Sequence, residues 1–183
     1  MCSDRDCKGD NKLNKAVFLD RDGTINVDYG YVHEMSRLEF IDGAVEGLKL
    51  LQSLGFLLIV ITNQSGIARG YFSLEDYLQF QKQIELRLKD YGVDIAATYF
   101  CPHLNENCEC RKPKTALFYR AAREWNINFK GSYAIGDKKR DLCICEEEPV
   151  KGIMIGEDQR CKNLMEAAEW IMLQYKGSCN EKI

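Results

Sequence analysis

No apolar run in this sequence approaches the roughly 20 residues that a bilayer span requires, so no membrane association is expected. Positive charge is also in short supply. The 25 lysines and arginines face 28 acids, for a formal net charge of -3, whereas a general polyanion binder needs a broad basic surface. Any phosphate must therefore be met by a few placed cations. The first residues, MCSDRDCKGDNK, hold no apolar core of the signal-peptide kind, and the nine cysteines are an odd number with no regular framework. A reducing, cytoplasmic setting is the expectation. Neither an internal repeat nor a low-complexity tract is present, which excludes solenoid and linker-rich designs.

The 183 residues are 45% hydrophobic and 29% charged, values of a globular chain that forms one domain and buries a core without staples. The expected organisation is a flexible polar extension over 1–14, a single domain over 15–176 and a short tail over 177–183. Within the domain, AVFLD (16–20) and FLLIVIT (56–62) read as buried strands. ATYFC (97–101), SYAIGD (132–137) and KGIMIG (151–156) read as three more. Helical periodicity appears over 44–54, from Ser73 as N-cap to Gly92, over 114–125 and over 161–175. Strands alternating with helices predict an α/β fold with a doubly wound parallel sheet covered on both faces. In such sheets function collects at the carboxyl ends of the strands. Asp20, Thr62, Cys101 and Asp137 all fall there.

FLDRDGTIN sets two carboxylates two residues apart where the first strand opens into a loop. A lone D-x-D is a common turn, but here TN (62–63), RK (111–112) and GDKKRD (136–141) accompany it. Together these supply the parts of phosphoryl transfer. Asp20, first after the strand, is placed to attack phosphorus and form an aspartyl-phosphate. Asp22 can protonate the leaving oxygen and then activate water. An anionic nucleophile approaching an anionic phosphate needs offsetting cations. Mg²⁺ suits Asp20, the main-chain carbonyl of Asp22, and Asp137, with Lys112 or Lys138 completing the neutralisation. The Thr62 hydroxyl and the amides of Asn63 and Asp22 add neutral donors, and Asp141 is expected to orient the metal or Lys138.

FLDRDGT, VITNQSG, RKPK and IGDKKRD, in this order over residues 16–156, resemble the haloacid dehalogenase-like phosphatase superfamily. The branch they resemble contains the heptose 1,7-bisphosphate and histidinol-phosphate phosphatases, and NVDYGYVH (26–33) and NQSGIARGYF (63–72) are similar to its heptose members. The resemblance implies a Rossmann-like core without a large cap domain. It further implies Mg²⁺-dependent removal of the C7 phosphate from D-glycero-D-manno-heptose 1,7-bisphosphate, in nucleotide-heptose synthesis, by a monomer that binds a small sugar phosphate. By matching position, Asp28, Tyr29, Gly30 and Tyr31, with Thr62, Asn63, Gln64 and Ser65, would contact substrate. Arg111 would aid recognition, and Lys112 and Lys138 would stabilise the phosphoryl group. Histidinol phosphate is the near alternative substrate.

CPHLNENCEC places Cys101, His103, Cys108 and Cys110 within ten residues of a chain that has only two histidines. Three thiolates and an imidazole are the ligand set of a closed tetrahedral zinc site, which has no open position for catalysis. The resembling family also carries a structural zinc in this loop. Cys143 and Cys145 repeat the C-x-C spacing without partners nearby and read as ordinary thiols. A zinc-dependent nucleic-acid module is disfavoured by the acidic balance and by the lack of an aromatic and basic surface pattern. A phosphate-binding scaffold without turnover is disfavoured by intact Asp20, Asp22, Lys112 and Asp137.

Overall fold

The computed structural model describes residues 13–104 and 107–180, with side chains described up to residue 175. Most of the expected N-terminal extension, and the last residues of the expected tail, lie outside the described residues. Five strands, β1 (Ala16–Leu19), β2 (Leu57–Asn63), β3 (Ile95–Cys101), β4 (Tyr133–Gly136) and β5 (Lys151–Met154), form one parallel sheet in the order β3-β2-β1-β4-β5. Four helices, α1 (Ala44–Ser53), α2 (Leu74–Asp90), α3 (Ala116–Glu124) and α4 (Leu164–Asn180), complete the described fold, with short 3-10 helices at Met35–Arg37 and Lys139–Glu146.

The β1 sequence AVFL is buried on both faces, as a central parallel strand requires. Its side chains alternate. Val17 and Leu19 join one core cluster with Leu48 and Leu51 of α1, Phe80, Ile84 and Leu88 of α2, and Ala167 and Ile171 of α4. Ala16 and Phe18 join the other with Ile59, Ile61, and Leu117, Phe118 and Ala121 of α3. Each fully buried Leu, Ile or Phe contributes about 1.5–3 kcal/mol, so this two-sided burial of the central strands holds the sheet in register.

Helix α2 begins where Ser73 predicts it. The Ser73 hydroxyl accepts from the Asp76 amide at 3.0 Å, and the Asp76 carboxylate accepts from the Ser73 amide at 2.8 Å, a reciprocal cap worth about 1 kcal/mol. Strand β3 starts at Ile95, two residues earlier than ATYFC implies. The segment after Asp141 forms the 3-10 helix Lys139–Glu146, with Cys143 buried and Cys145 half-buried beside it.

The strand order reverses between β1 and β4: β2 and β3 lie on one side of β1, β4 and β5 on the other. A crevice at the carboxyl ends of the strands follows from that switch in winding. No cap domain interrupts the described residues.

Candidate active site

Asp20 leaves the carboxyl end of β1, 7% exposed. The loop behind it folds tightly: the Arg21 carbonyl accepts from the amides of Thr24, Ile25 and Asn26 at 3.3, 2.8 and 3.2 Å. Gly23 has a φ of +88°, and a β carbon there would lie 2.5 Å from Asp137 Oδ2. Only glycine lets this loop rest on the carboxylate delivered by β4.

Beneath Asp20 lies Lys112, 3% exposed. Its Nζ is 2.8 Å from Asp20 Oδ1, 2.7 Å from Asp141 Oδ1 and 2.5 Å from the Ile61 carbonyl. Burial pushes the Asp20 carboxyl up, Lys112 pulls it back, and repulsion from Asp141 and Asp22 adds to the rise; the result is about 6. Burial also works against the Lys112 ammonium, but Asp20 and Asp141 outweigh it and hold its pKa above the ordinary lysine value. Oxygens of Asp20, Asp137 and Asp141 lie within 4.8 Å of one another. Asp20 and Asp141 thus share one buried ammonium, Asp137 stands beside them, and its Oδ1 is buried with no hydrogen-bond partner. A donor set of hard oxygens short of positive charge fits a divalent cation such as Mg²⁺.

The Asp22 carboxylate is held at the cavity wall by Arg21, by the Asn26 amide at 2.9 Å and by the Gln64 amide at 2.9 Å. Gln64 also donates to Thr62 Oγ1 at 2.9 Å, which leaves the Thr62 hydroxyl proton free to donate elsewhere. Asn63, at the end of β2, clamps the Lys112 peptide from both sides, accepting from its amide at 3.0 Å and donating to its carbonyl at 3.1 Å.

A cavity of about 330 Å³ opens over Asp20 and Asp22, with Thr62, Asn63, Gln64 and Ser65 along one side. Asp28, Gly30, Tyr31 and Arg111 also line it, as do Lys138, Arg69 and Arg140. Lys138 bridges Asp28 at 3.2 Å and Asp137 at 3.3 Å. Tyr31 packs edge-on against Tyr71 with 4.8 Å between centroids, and the Arg69 guanidinium lies over its ring. Tyr29 is not among the lining residues. Its hydroxyl donates to Glu39 and its carbonyl accepts from Arg37.

At the end of β3, Cys101, His103, Cys108 and Cys110 converge. Cys101 Sγ is 3.6 Å from Cys108 Sγ and 3.1 Å from Cys110 Sγ, and His103 Nδ1 is 3.5 Å from Cys101 and 3.2 Å from Cys110. Tetrahedral zinc with sulfur at about 2.3 Å and nitrogen near 2.0 Å separates its donors by roughly 3.4–3.8 Å, so the four groups can close on one metal with small adjustments. The next residue, Arg111, donates to the His103 carbonyl at 3.2 Å. The cluster and the cavity are therefore joined through one turn of chain.

The polynucleotide kinase 3 phosphatase family model matches residues 16–141, from β1 through Asp141. The D-glycero-beta-D-manno-heptose-1,7-bisphosphate 7-phosphatase of Pasteurella multocida is 44% identical over 150 residues, covering 78% of this chain and 82% of its own. That of Helicobacter pylori is 43% identical over 169 residues, covering 86% and 97%. The chain belongs to the heptose bisphosphate phosphatase family. A solved member of this family, the D,D-heptose 1,7-bisphosphate phosphatase of B. bronchiseptica with magnesium and phosphate, superposes with a TM-score of 0.79 at 25% identity, covering 87% of this chain and 99% of that one.

Three charged residues at or beside this heptose-phosphatase site were not assigned a part by sequence reasoning. Arg69 and Arg140 line the cavity, and Arg21 is fully buried behind Asp22. Arg69 stood inside the quoted NQSGIARGYF and Arg140 inside GDKKRD, so position in a motif was the available signal. For Arg21 the only signal was its place between the two acids.

Proposed function

We propose that this chain is a Mg²⁺-dependent phosphomonoesterase that removes the C7 phosphate from D-glycero-D-manno-heptose 1,7-bisphosphate in nucleotide-heptose synthesis, as a cytoplasmic monomer with a structural zinc. The observation that carries the reading is the meeting of Asp20 and Asp22, Lys112, and Asp137 from three separate segments at the base of one cavity. Asp20 offers phosphorus one carboxylate oxygen while Lys112 holds the other. As the bond to O7 breaks, the leaving oxygen takes a proton from Asp22, and phosphorus stays on Asp20 as an aspartyl-phosphate. Asp22, now a carboxylate, takes a proton from water, whose oxygen displaces Asp20 and releases inorganic phosphate. The free proton of Thr62 donates to a phosphoryl oxygen throughout, and Lys112, its three protons held by Asp20, Asp141 and the Ile61 carbonyl, acts on the phosphoryl group through its charge. When bound by Asp20, Asp137 and the Asp22 carbonyl, Mg²⁺ supplies the remaining neutralisation. Asp141 holds Lys112 at 2.7 Å and accepts from the Lys138 amide at 2.9 Å.

Specificity rests on the rim. Arg69, Arg111, Arg140 and Lys138 face the cavity, more positive charge than a single phosphate requires, and suit a substrate with two. Histidinol phosphate carries a single phosphate and an ammonium, which these cations repel. A side-by-side turnover assay of both anomers of the heptose bisphosphate against histidinol phosphate should show a strong preference for the heptose, with the β anomer favoured as the relatives' names indicate. Equal or reversed preference between heptose and histidinol phosphate would remove the sugar reading and leave a phosphatase of other specificity.

Gly23 provides a separate check on the cation site. Gly23→Ala forces a β carbon against Asp137 and strains a positive φ. It should raise the Mg²⁺ concentration for half-maximal activity about tenfold or more, as expected when a ligand is displaced by about 1 Å. An unchanged Mg²⁺ titration would show that Asp137 does not bind the ion.

A further inference from the structure

Among the described residues Arg21 is the largest fully buried side chain, at 0% exposure. A buried guanidinium is costly unless its charge and its donors are met. Here they are met in a directed way. Nε donates to Asp22 Oδ1 at 3.1 Å and one terminal nitrogen donates to Asp22 Oδ2 at 2.8 Å, so the fork grips both carboxylate oxygens. The same nitrogen reaches the Val32 carbonyl at 3.3 Å, and the other reaches Gln81 Oε1 at 3.4 Å. Its plane lies over Phe80 at 5.2 Å and Tyr77 at 5.7 Å, two aromatic residues of α2.

Gln81 is itself fixed. Its amide nitrogen donates to Glu85 at 3.0 Å and to Thr98 at 3.2 Å, and Thr98 donates to Glu85 at 2.7 Å. With the nitrogen engaged there, the amide oxygen is the atom left to face Arg21. A chain of contacts thus runs from β3 through α2 to a guanidinium whose one ion pair is with Asp22. A cation needed only for stability would be replaced without loss by an apolar side chain of similar volume. A planar fork aimed at both oxygens of one carboxylate does something an apolar residue cannot: it fixes the rotation of that carboxylate.

We propose that Arg21 is a positioning residue that sets the orientation of the Asp22 carboxyl group toward the leaving oxygen, with Gln81 holding Arg21 in place. This rests on the phosphatase reading above. Asp22 matters most when the leaving oxygen is a poor one, as the sugar O7 is. A nitrophenolate departs without a proton. Loss of orientation at Asp22 should therefore lower kcat/KM, which reports the step that breaks the ester bond, far more for the sugar phosphate than for p-nitrophenyl phosphate. Hydrolysis of the aspartyl-phosphate, where Asp22 also serves, is common to both esters, and a general disturbance of the fold lowers both kcat/KM values alike.

Arg21→Lys keeps the charge and loses the fork. The expected result is a kcat/KM about tenfold or more lower on the heptose bisphosphate and a change in kcat/KM within about threefold on p-nitrophenyl phosphate, from the usual cost of misplacing a reacting group. In an Asp22→Asn background, where there is no acid left to orient, the same substitution should cost nothing further. Gln81→Leu should show the same split, smaller. Equal losses on the two substrates, or full additivity with Asp22→Asn, overturn the proposal. If Arg21→Lys does not fold, Gln81→Leu decides, and the absence of a split there overturns it equally. Failure of the wild type to turn over either ester would instead remove the phosphatase reading itself.

Discussion

Asp20→Asn should abolish turnover, by at least about 10⁴-fold in kcat, because an amide cannot form the phosphoryl ester through which both half-reactions pass. The same variant should be no less stable than the wild type in metal-free buffer. Burial raises the Asp20 carboxyl to about 6 despite Lys112, so the folded protein binds a proton there more readily than the unfolded chain does. The sign follows by linkage: Asp20 supports stability fully only below its ordinary value near 4, and that support is lost as pH rises through about 6. Above pH 6 the ionised group is a net cost which the neutral amide does not carry. The melting temperature of Asp20→Asn minus that of the wild type should therefore grow from pH 4 to pH 6 and level off above it. Added Mg²⁺ should raise the wild type and leave the variant nearly unmoved, since binding to the native state stabilises it. Residual activity near the wild-type level would end the covalent mechanism; a variant destabilised at pH 7 would show that Asp20 is needed chiefly as a counter-charge for Lys112.

What the sequence disclosed about this site is the part encoded locally. An apolar run that ends in an acid reports both a buried strand and the group at its mouth, which is why Asp20 after β1 and Asp137 after β4 could be read directly. The Cys101 to Cys110 cluster was legible for the same reason, its four donors lying within ten residues. What stayed hidden depends on contacts distant in the chain. The choice between Lys112 and Lys138 beneath the nucleophile is settled by burial: Lys112 is 3% exposed, held by Asn63 and by Asp141, while Lys138 sits partly in solvent between Asp28 and Asp137. Nothing in the local sequence marks Arg21 as buried; α2, 60 residues on, lays Gln81, Phe80 and Tyr77 around it. Tyr29 sat in a substrate-loop motif yet turns to Glu39 because a short 3-10 helix, Met35–Arg37, brings that segment back past it.

Cys108→Ser should cut kcat/KM by about a hundredfold although none of the four Cys/His side chains lines the cavity. The physical link is the chain between them. Cys101 is anchored at the end of β3, and Cys110 is followed at once by Arg111, which lines the cavity, and by Lys112, whose Nζ sits 2.8 Å from Asp20. On one flank Asn63 already clamps the Lys112 peptide. On the other, Cys101, His103, Cys108 and Cys110 hold the loop firmly only if a metal draws them together, because without one burial keeps the Cys101 and Cys110 thiols protonated and leaves only weak sulfur hydrogen bonds at 3.1 to 3.6 Å. Misplacing a phosphate-binding cation by about 1 Å costs on the order of a hundredfold, so a metal bound there without an open coordination position would still govern the rate. The variant should also lose bound zinc and melt several degrees lower, while its Mg²⁺ titration midpoint stays in place, in contrast to Gly23→Ala. Protein purified without chelator should carry about one zinc per chain, as one closed four-ligand site requires. Zinc-free protein with full activity and an unchanged melting temperature would show that the Asn63 clamp alone aims Arg111 and Lys112.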